Sequence, residues 1–166
     1  STANKIVWHG TVSRGDLVLC DRNCHKSILH SLVMTGATPI YLVPSRNGLG
    51  TIGPISRERF RPKSIRQNIA ANPFAKDAKG GVRLMVMTNS TYDGLCYNVD
   101  AIKQSLGDSV EVLHFDEAWY AYANFHEFYD DFHGISSGKP ERSPHAITFA
   151  TQSTHKLLCA LAQASM

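Results

Sequence analysis

The chain has 166 residues, of which 43% are hydrophobic and 19% are charged, a composition typical of a globular domain and not of a disordered segment. The formal net charge is +3, and because the basic residues are scattered along the chain we expect no nucleic-acid partner. No apolar run approaches the ~20 residues that cross a bilayer, and the amino-terminal residues lack a secretory pattern, so we expect no membrane partner and a cytoplasmic location.

Short β-rich runs alternate with longer amphipathic stretches along the chain. In chain order, the pattern predicts a helix over Ala3–Thr11, a strand over Leu17–Cys20, a helix over His25–Thr35, a strand over Pro39–Val43, a helix over Pro62–Asn72, a strand over Arg83–Met87, a helix over Asn98–Leu106, and strands over Val110–Phe115 and Ala146–Ala150. Most of these strands are continuously apolar, as strands are when helices cover both faces of a parallel sheet. The sequence therefore predicts an α/β domain with a mainly parallel sheet flanked by helices.

Local signals mark where these elements end. Gly36 and Gly107 follow two predicted helices as carboxyl-terminal caps, and Pro62 suits the first turn of a third. Segments rich in Pro, Gly and Ser predict surface loops at Pro44–Pro54 and Ser136–Pro144.

The cysteines indicate neither a disulfide framework nor a metal site. Cys20 and Cys24 precede His25, but no second pair of ligands follows at a spacing typical of zinc sites. With Cys96 and Cys159 well separated from them, we expect four reduced thiols and no metal.

Three polar residues follow predicted strands, at the edge where ligands collect in an open parallel sheet: His25, Asp116 and Lys156. A lysine amine forms a Schiff base with the aldehyde of pyridoxal phosphate, and a carboxylate beside the ring nitrogen keeps that nitrogen protonated. This set of residues therefore suits pyridoxal phosphate, although an acid and a lysine near strand ends occur in many α/β proteins.

Four motifs make the match specific: Asp-Arg-Asn-Cys-His-Lys-Ser at 21–27, Asn-Ser-Thr-Tyr-Asp-Gly at 89–94, His-Phe-Asp-Glu-Ala-Trp at 114–119 and Ser-Thr-His-Lys at 153–156. In this order they resemble the bacterial ornithine/lysine/arginine decarboxylases, which are fold-type I pyridoxal-phosphate enzymes, and the resemblance extends from Ser1 to Met166. It implies the family's major-domain fold and the decarboxylation of arginine, lysine or ornithine to its amine and carbon dioxide.

The resemblance assigns catalytic roles to three positions. Lys156 resembles the Schiff-base lysine, Asp116 the partner of the pyridine nitrogen, and His25 the imidazole that stacks on the ring. The alternatives are a surface lysine at Lys156, a helix N-cap at Asp116, and a histidine that caps or packs at a helix start at His25.

Further positions match residues that contact the cofactor in the family. Trp119 is similar to the residue near the phenolic oxygen, with an ordinary core position as the alternative, and Ala118 to a small residue beneath the ring. The positions similar to phosphate-binding residues, or adjacent to them, are Ser1, Thr2, Ser153 and His155; a turn at Ser153 and a frayed terminus at Ser1 and Thr2 are the alternatives.

Family members carry Gly-Thr before the position of Ser1, continue beyond Met166, and possess an N-terminal wing and a C-terminal domain. We therefore expect residues 1–166 to be a single segment of the major domain of a longer homodimeric or higher oligomeric enzyme, poorly active in isolation. The stretch from Ser45 to Pro54 is similar to inducible and catabolic members, which favours arginine or lysine as substrate. The resemblance also implies a stress-response or polyamine role, because the decarboxylation consumes acid.

Two other functional classes compete with this interpretation. A noncatalytic relative that binds partners would have lost Lys156 or Asp116, and both are present. A nucleotide-binding module would carry a Gly-rich phosphate motif after a strand, and the sequence has none.

Overall fold

The computed structural model describes residues 2–76, 78, 80–135 and 147–166. These ranges contain five strands: β1 (Leu17–Asp21), β2 (Thr38–Leu42), β3 (Val82–Thr88), β4 (Val110–Asp116) and β5 (Ile147–Thr151). They form one sheet in the order β2-β1-β3-β4-β5, and every neighbouring pair is parallel. The predicted parallel α/β sheet is confirmed.

The described ranges also contain five α-helices: α1 (Thr2–Thr11), α2 (Lys26–Thr35), α3 (Pro62–Ala71), α4 (Val99–Leu106) and α5 (Thr154–Leu157). The first four were predicted to within a residue at each end. The sequence pattern missed α5 and the 3-10 helices Arg57–Phe60, Ala121–Phe125 and Glu127–Tyr129, because one turn is too short to show helical periodicity.

Two apolar layers cover the two faces of the sheet. Alternate side chains of β1 point to opposite layers: Leu19 packs with Ile65 of α3 and Ile102 of α4, whereas Val18 packs with Trp8 of α1. The residues of β1 are therefore buried on both sides, which explains why the strand is apolar without alternation.

Local caps define the ends of three of the helices. Gly36 ends α2 at φ 69°, a left-handed conformation that glycine adopts at little cost, and its N–H donates to Leu32 O at 3.0 Å. Asn98 begins α4, where its side-chain oxygen accepts from Ala101 N at 2.7 Å. Gly107 caps α4 as predicted, and Pro62 stands at the first turn of α3.

The predicted loop over residues 44–54 is exposed and ordered by its own backbone hydrogen bonds, Ser45 N to Pro54 O at 3.0 Å and Gly53 N to Ser45 O at 2.8 Å. The predicted loop at Ser136–Pro144 lies outside the described residues, as does Ala146 at the predicted start of the last strand. Among the helices that the structure describes, none is long and apolar enough to cross a membrane.

Candidate active site

Two adjoining cavities lie at the carboxyl ends of β1, β3, β4 and β5. Both are lined by His25, Asp116, Ala118 and Lys156. The larger has a volume of about 180 Å³, and its other lining residues are Asn23, Cys24, Thr88, Ser90, Tyr92 and Trp119. The smaller also contacts Ala3, Asn4, Thr151 and Ser153. The structure thus brings together His25, Asp116 and Lys156, which are far apart in the sequence.

Lys156 lies on α5, directly after the last strand. Its side chain is half-buried and its Nζ lies 4.7 Å from the centroid of the Trp119 ring. Trp119 in turn packs edge to face against Tyr92, with ring centroids 5.4 Å apart. The lysine amine is therefore held in the cavity against an aromatic wall.

Asp116 is the last residue of β4 and is only 5% exposed. Its Oδ2 accepts a hydrogen bond from Asn4 Nδ2 at 2.8 Å. Asp116 does not cap the next helix, which begins at Ala121 with Tyr120 as its N-cap. The geometry thus presents a carboxylate to the cavity, where it can hold a cationic nitrogen.

His25 both caps α2 and lines the two cavities. Its Nδ1 accepts from Ser27 N at 3.2 Å and lies 2.8 Å from Ser27 Oγ. Desolvation lowers the pKa of His25, and the charges of Lys156 and Lys26 act in the same direction, while Asp116 opposes them. The capping and cavity interpretations of this histidine are therefore compatible.

Of the remaining predicted site residues, some line the cavities and others do not. Ser153 is buried and lines the smaller cavity. His155 is exposed, is not among the lining residues, and its Nδ1 lies 2.7 Å from Ala164 O. Thr2 is exposed at the start of α1, next to the lining residue Ala3, and Ser1 lies outside the described residues.

Two buried polar residues near the site were missed by the sequence analysis. Asn4 contacts Asp116 directly, and the signal that would have found it is its spacing of four residues from Trp8, which puts a polar side chain on the buried face of α1. Glu117 is 1% exposed and accepts from Asn89 Nδ2 at 3.1 Å and Gly134 N at 2.6 Å, and burial raises its pKa. Glu117 fixes the chain that follows Asp116.

The sequence of this chain is similar to those of known decarboxylases. Residues 1–166 match the family model described as Orn/Lys/Arg decarboxylase, major domain. The lysine decarboxylase LdcA of Pseudomonas aeruginosa is 64% identical over 166 residues, which are 100% of this chain and 22% of that protein. The biodegradative arginine decarboxylase of Escherichia coli is 45% identical over 99% of this chain and 22% of its own length.

Solved structures share the same fold. Lysine decarboxylase A from Pseudomonas aeruginosa superimposes with a TM-score of 0.90 over 99% of this chain and 22% of that chain, at 64% identity. Histidinol-phosphate aminotransferase from Sinorhizobium meliloti, solved with pyridoxal-5'-phosphate, gives 0.53 at 13% identity over 92% of this chain and 35% of its own, a likeness of fold alone. The chain spans under a quarter of the length of the decarboxylases it matches. Because the family model matches every residue, the chain belongs to the ornithine/lysine/arginine decarboxylase family, within its major domain.

Proposed function

We propose that the full-length protein containing this chain is a pyridoxal-phosphate-dependent decarboxylase that converts a basic amino acid into its amine and carbon dioxide. The observation that carries this proposal is the convergence of Lys156, Asp116 and His25 on one pair of cavities at the carboxyl edge of the sheet. Membership of the decarboxylase family supports it.

The chemistry of the side chains fits pyridoxal phosphate. Lys156 supplies an amine for the aldehyde carbon, Asp116 a carboxylate for the ring nitrogen, and His25 a flat ring for one face. Ala118 lines both cavities, and its small side chain leaves room where a larger one would protrude. Trp119 is proposed to lie near the phenolic oxygen.

Hydroxyl groups at the smaller cavity suit a phosphate group. Ser153 is buried there, and its side chain makes no capping hydrogen bond to α5, which supports a role for its hydroxyl in binding the phosphate. By resemblance, Ser1, Thr2 and His155 complete the phosphate site. For His155 this requires its ring to leave Ala164 O, which it contacts at 2.7 Å.

When bound, pyridoxal phosphate supplies a protonated ring that takes up the electron pair released as the substrate's carboxylate departs. The residues of this chain set the conditions for that step. Asp116 would hold the proton on the ring nitrogen by its negative charge, and His25 would restrict the ring to one plane. Lys156 Nζ would be the nucleophile that attaches the cofactor, and it lies against the ring of Trp119.

Lysine is the substrate that the comparisons favour. Identity is 64% to a lysine decarboxylase, 45% to an arginine decarboxylase and 38% to an ornithine decarboxylase. The alternative of a noncatalytic relative is not favoured, because Lys156 and Asp116 are both present and the curated relatives are decarboxylases. Assembly as a homodimer or larger homo-oligomer and a cytoplasmic location are further proposals that rest on the family resemblance.

The test uses the full-length protein, loaded with pyridoxal phosphate and reduced with borohydride. Peptide mass spectrometry is expected to find the label on Lys156, and carbon dioxide release is expected to be fastest with lysine as substrate. Lys156→Ala should abolish the label, whereas Lys26→Ala, an exposed neighbour of His25, should retain it. A label on Lys5 or Lys26, or no carbon dioxide from lysine, arginine and ornithine, would contradict the proposal.

A further inference from the structure

A chain of hydrogen bonds runs along the wall of the smaller cavity, and Asp116 is the member of it that already has a role in the proposed function. Asn4 is its centre: Nδ2 lies 2.8 Å from Asp116 Oδ2 and 2.9 Å from Ser27 Oγ, and Oδ1 lies 2.6 Å from Thr151 Oγ1. Thr151 Oγ1 lies 3.0 Å from His114 Nε2. All five residues are at most 5% exposed, so water does not compete for these bonds.

The carboxylate of Asp116 fixes the orientation of the Asn4 amide. An ionised carboxylate only accepts hydrogen bonds, so the NH₂ group of Asn4 faces Asp116 and its carbonyl faces Thr151. The Thr151 hydroxyl then donates its one proton to Asn4 Oδ1. His114 Nε2 must therefore carry a proton and donate it to Thr151.

His114 satisfies that requirement as a neutral ring. Burial lowers the pKa of His114 to about 3, so the ring is uncharged at neutral pH with its proton on Nε2. Its Nδ1 has no hydrogen-bond partner among the described residues, as expected when Nδ1 carries no proton to donate. The direction of donation is thus fixed: His114 donates to Thr151, and Thr151 donates to Asn4.

The direction of hydrogen-bond donation can also be followed from Asn4 to His25 through Ser27. Its second amide proton points to Ser27 Oγ, which therefore accepts and has its own proton left to donate. That proton goes to His25 Nδ1 at 2.8 Å, and Ser27 N–H donates to the same nitrogen at 3.2 Å. Since Nδ1 of His25 is an acceptor in both bonds, the ring carries its proton on Nε2.

We propose that Asn4 is a positioning residue that sets the hydrogen-bond polarity of the site: it orients the Asp116 carboxylate and, through Ser27, keeps His25 in the Nε2–H tautomer. Asn4 does this without adding charge beside Asp116, because an amide is neutral. Within the described part of the chain, Asp116 Oδ1 accepts no side-chain hydrogen bond, so this oxygen is left for a ligand nitrogen. The role of Asn4 in catalysis rests on the proposed function. The tautomer of His25 rests only on the hydrogen-bond geometry.

The test measures the pKa of His25 in the cofactor-free full-length protein, from the pH dependence of C2-hydrogen exchange in each histidine-containing peptide. The charged groups that face His25 are Asp116 from β4, Lys156 from α5 and Lys26 from α2, and all are retained in the variants. The variants are Asn4→Leu and Ser27→Ala. The matched control is Ser31→Ala, which removes a buried hydroxyl of α2 that donates to Ser27 O at 2.9 Å and lies outside the chain of bonds.

Asn4→Leu is expected to raise the pKa of His25 by about one unit, because Ser27 Oγ becomes free to accept a proton-bearing Nδ1. Ser27→Ala should raise this pKa by less, since it removes one donor to the neutral Nδ1 but supplies no hydroxyl to accept from the protonated form. This variant keeps the test decisive if Asn4→Leu does not fold. Ser31→Ala should leave it unchanged. The same pKa in all variants, or an equal rise in Ser31→Ala, overturns the inference. Because no cofactor is present, a failure to label Lys156 in the earlier experiment would not alter this result.

Discussion

The Lys156 ammonium and the Trp119 ring are in contact, with Nζ 4.7 Å from the ring centroid. Both residues follow the carboxyl ends of neighbouring strands, Trp119 after β4 and Lys156 after β5, so the parallel sheet itself brings them together. The ring face carries partial negative charge and attracts the ammonium. The proposed nucleophile is thus in contact with an aromatic ring at the cavity.

Replacing Trp119 is expected to make Lys156 more reactive in the cofactor-free protein. Trp119→Leu removes a contact of ~0.5–1 kcal/mol that favours the ammonium, so acetylation of Lys156 should accelerate about two- to fivefold. Trp119→Phe retains an aromatic face and should give a smaller change. Peptide mass spectrometry measures the rate, with exposed Lys26 as the internal control; equal Lys156 rates in wild type and Trp119→Leu would show that the contact has no energetic effect.

The carboxylate of Asp116 should be essential for turnover and dispensable for folding. Asp116→Asn keeps the shape of the side chain but loses the negative charge, so we expect decarboxylation by the full-length protein to fall about a thousandfold or more, or ~4 kcal/mol of transition-state stabilisation. Asp16→Asn is the control, because Asp16 caps a turn before β1, at the opposite end of the sheet. Turnover of Asp116→Asn within tenfold of wild type would remove Asp116 from its proposed role.

His114 should make the fold sensitive to acid. Its pKa is about 3 in the folded chain against 6.5 as the ordinary value, so between these pH values the unfolded state binds more protons. The contribution of His114 to the free energy of unfolding is therefore fully present above pH 6.5. It is lost as the pH drops towards 3, by at most ~1.4 kcal/mol per pH unit. His114→Gln retains a donor towards Thr151 and does not titrate, so its melting temperature should depend less on pH over this range.

The control for that measurement is His9→Gln, an exposed position on α1. It should melt with the same pH dependence as the wild-type protein. If His114→Gln also kept the wild-type pH dependence, the neutral buried state of His114 would be wrong, and with it the direction of the hydrogen bonds through Thr151.

Cys24 should react with iodoacetamide faster than Cys20. Cys20 is fully buried, whereas Cys24 is half-buried and lines the larger cavity. The Cys20 thiol donates to Cys24 Sγ at 4.0 Å, which lowers the pKa of Cys24 and raises that of Cys20. Cys20→Ala removes this donor and should slow the alkylation of Cys24 at pH ~8, while exposed Cys159 reacts as before. An unchanged Cys24 rate would exclude an effect of the hydrogen bond on its reactivity.

Local patterns were sufficient for the five strands and the four longer helices. The strands were recognisable because burial on both faces demands continuous apolar residues, and Gly36 and Pro62 marked helix ends through backbone conformations that are local properties. The resemblance identified Lys156, Asp116 and His25, and their positions after strands follow from the general rule that ligands bind at the carboxyl edge of a parallel sheet.

The hydrogen-bond partners of those residues were not predictable in the same way. Asn4 pairs with Asp116 across 112 positions and with Thr151 across 147, and the sequence of α1 gives no indication of which strand ends will lie beside it. The sheet order β2-β1-β3-β4-β5 decides that, because it sets β4 and β5 side by side. His155 shows the converse, since it stands beside Lys156 in the sequence but its ring contacts Ala164 O instead of the cavities.

The sequence by itself determined the type of the five strands and the four longer helices, and the chemical identity of the groups at the strand ends, because both depend on residues close together in the chain. Only the tertiary structure decided which buried polar groups form hydrogen bonds with each other, since a hydrogen bond depends on the distance and direction between groups on different elements. The neutral state of His114 and the tautomer of His25 belong to that second class. The first follows from burial of His114 beside Thr151 of another strand, and the second from Asn4 of α1 acting on Ser27 of α2.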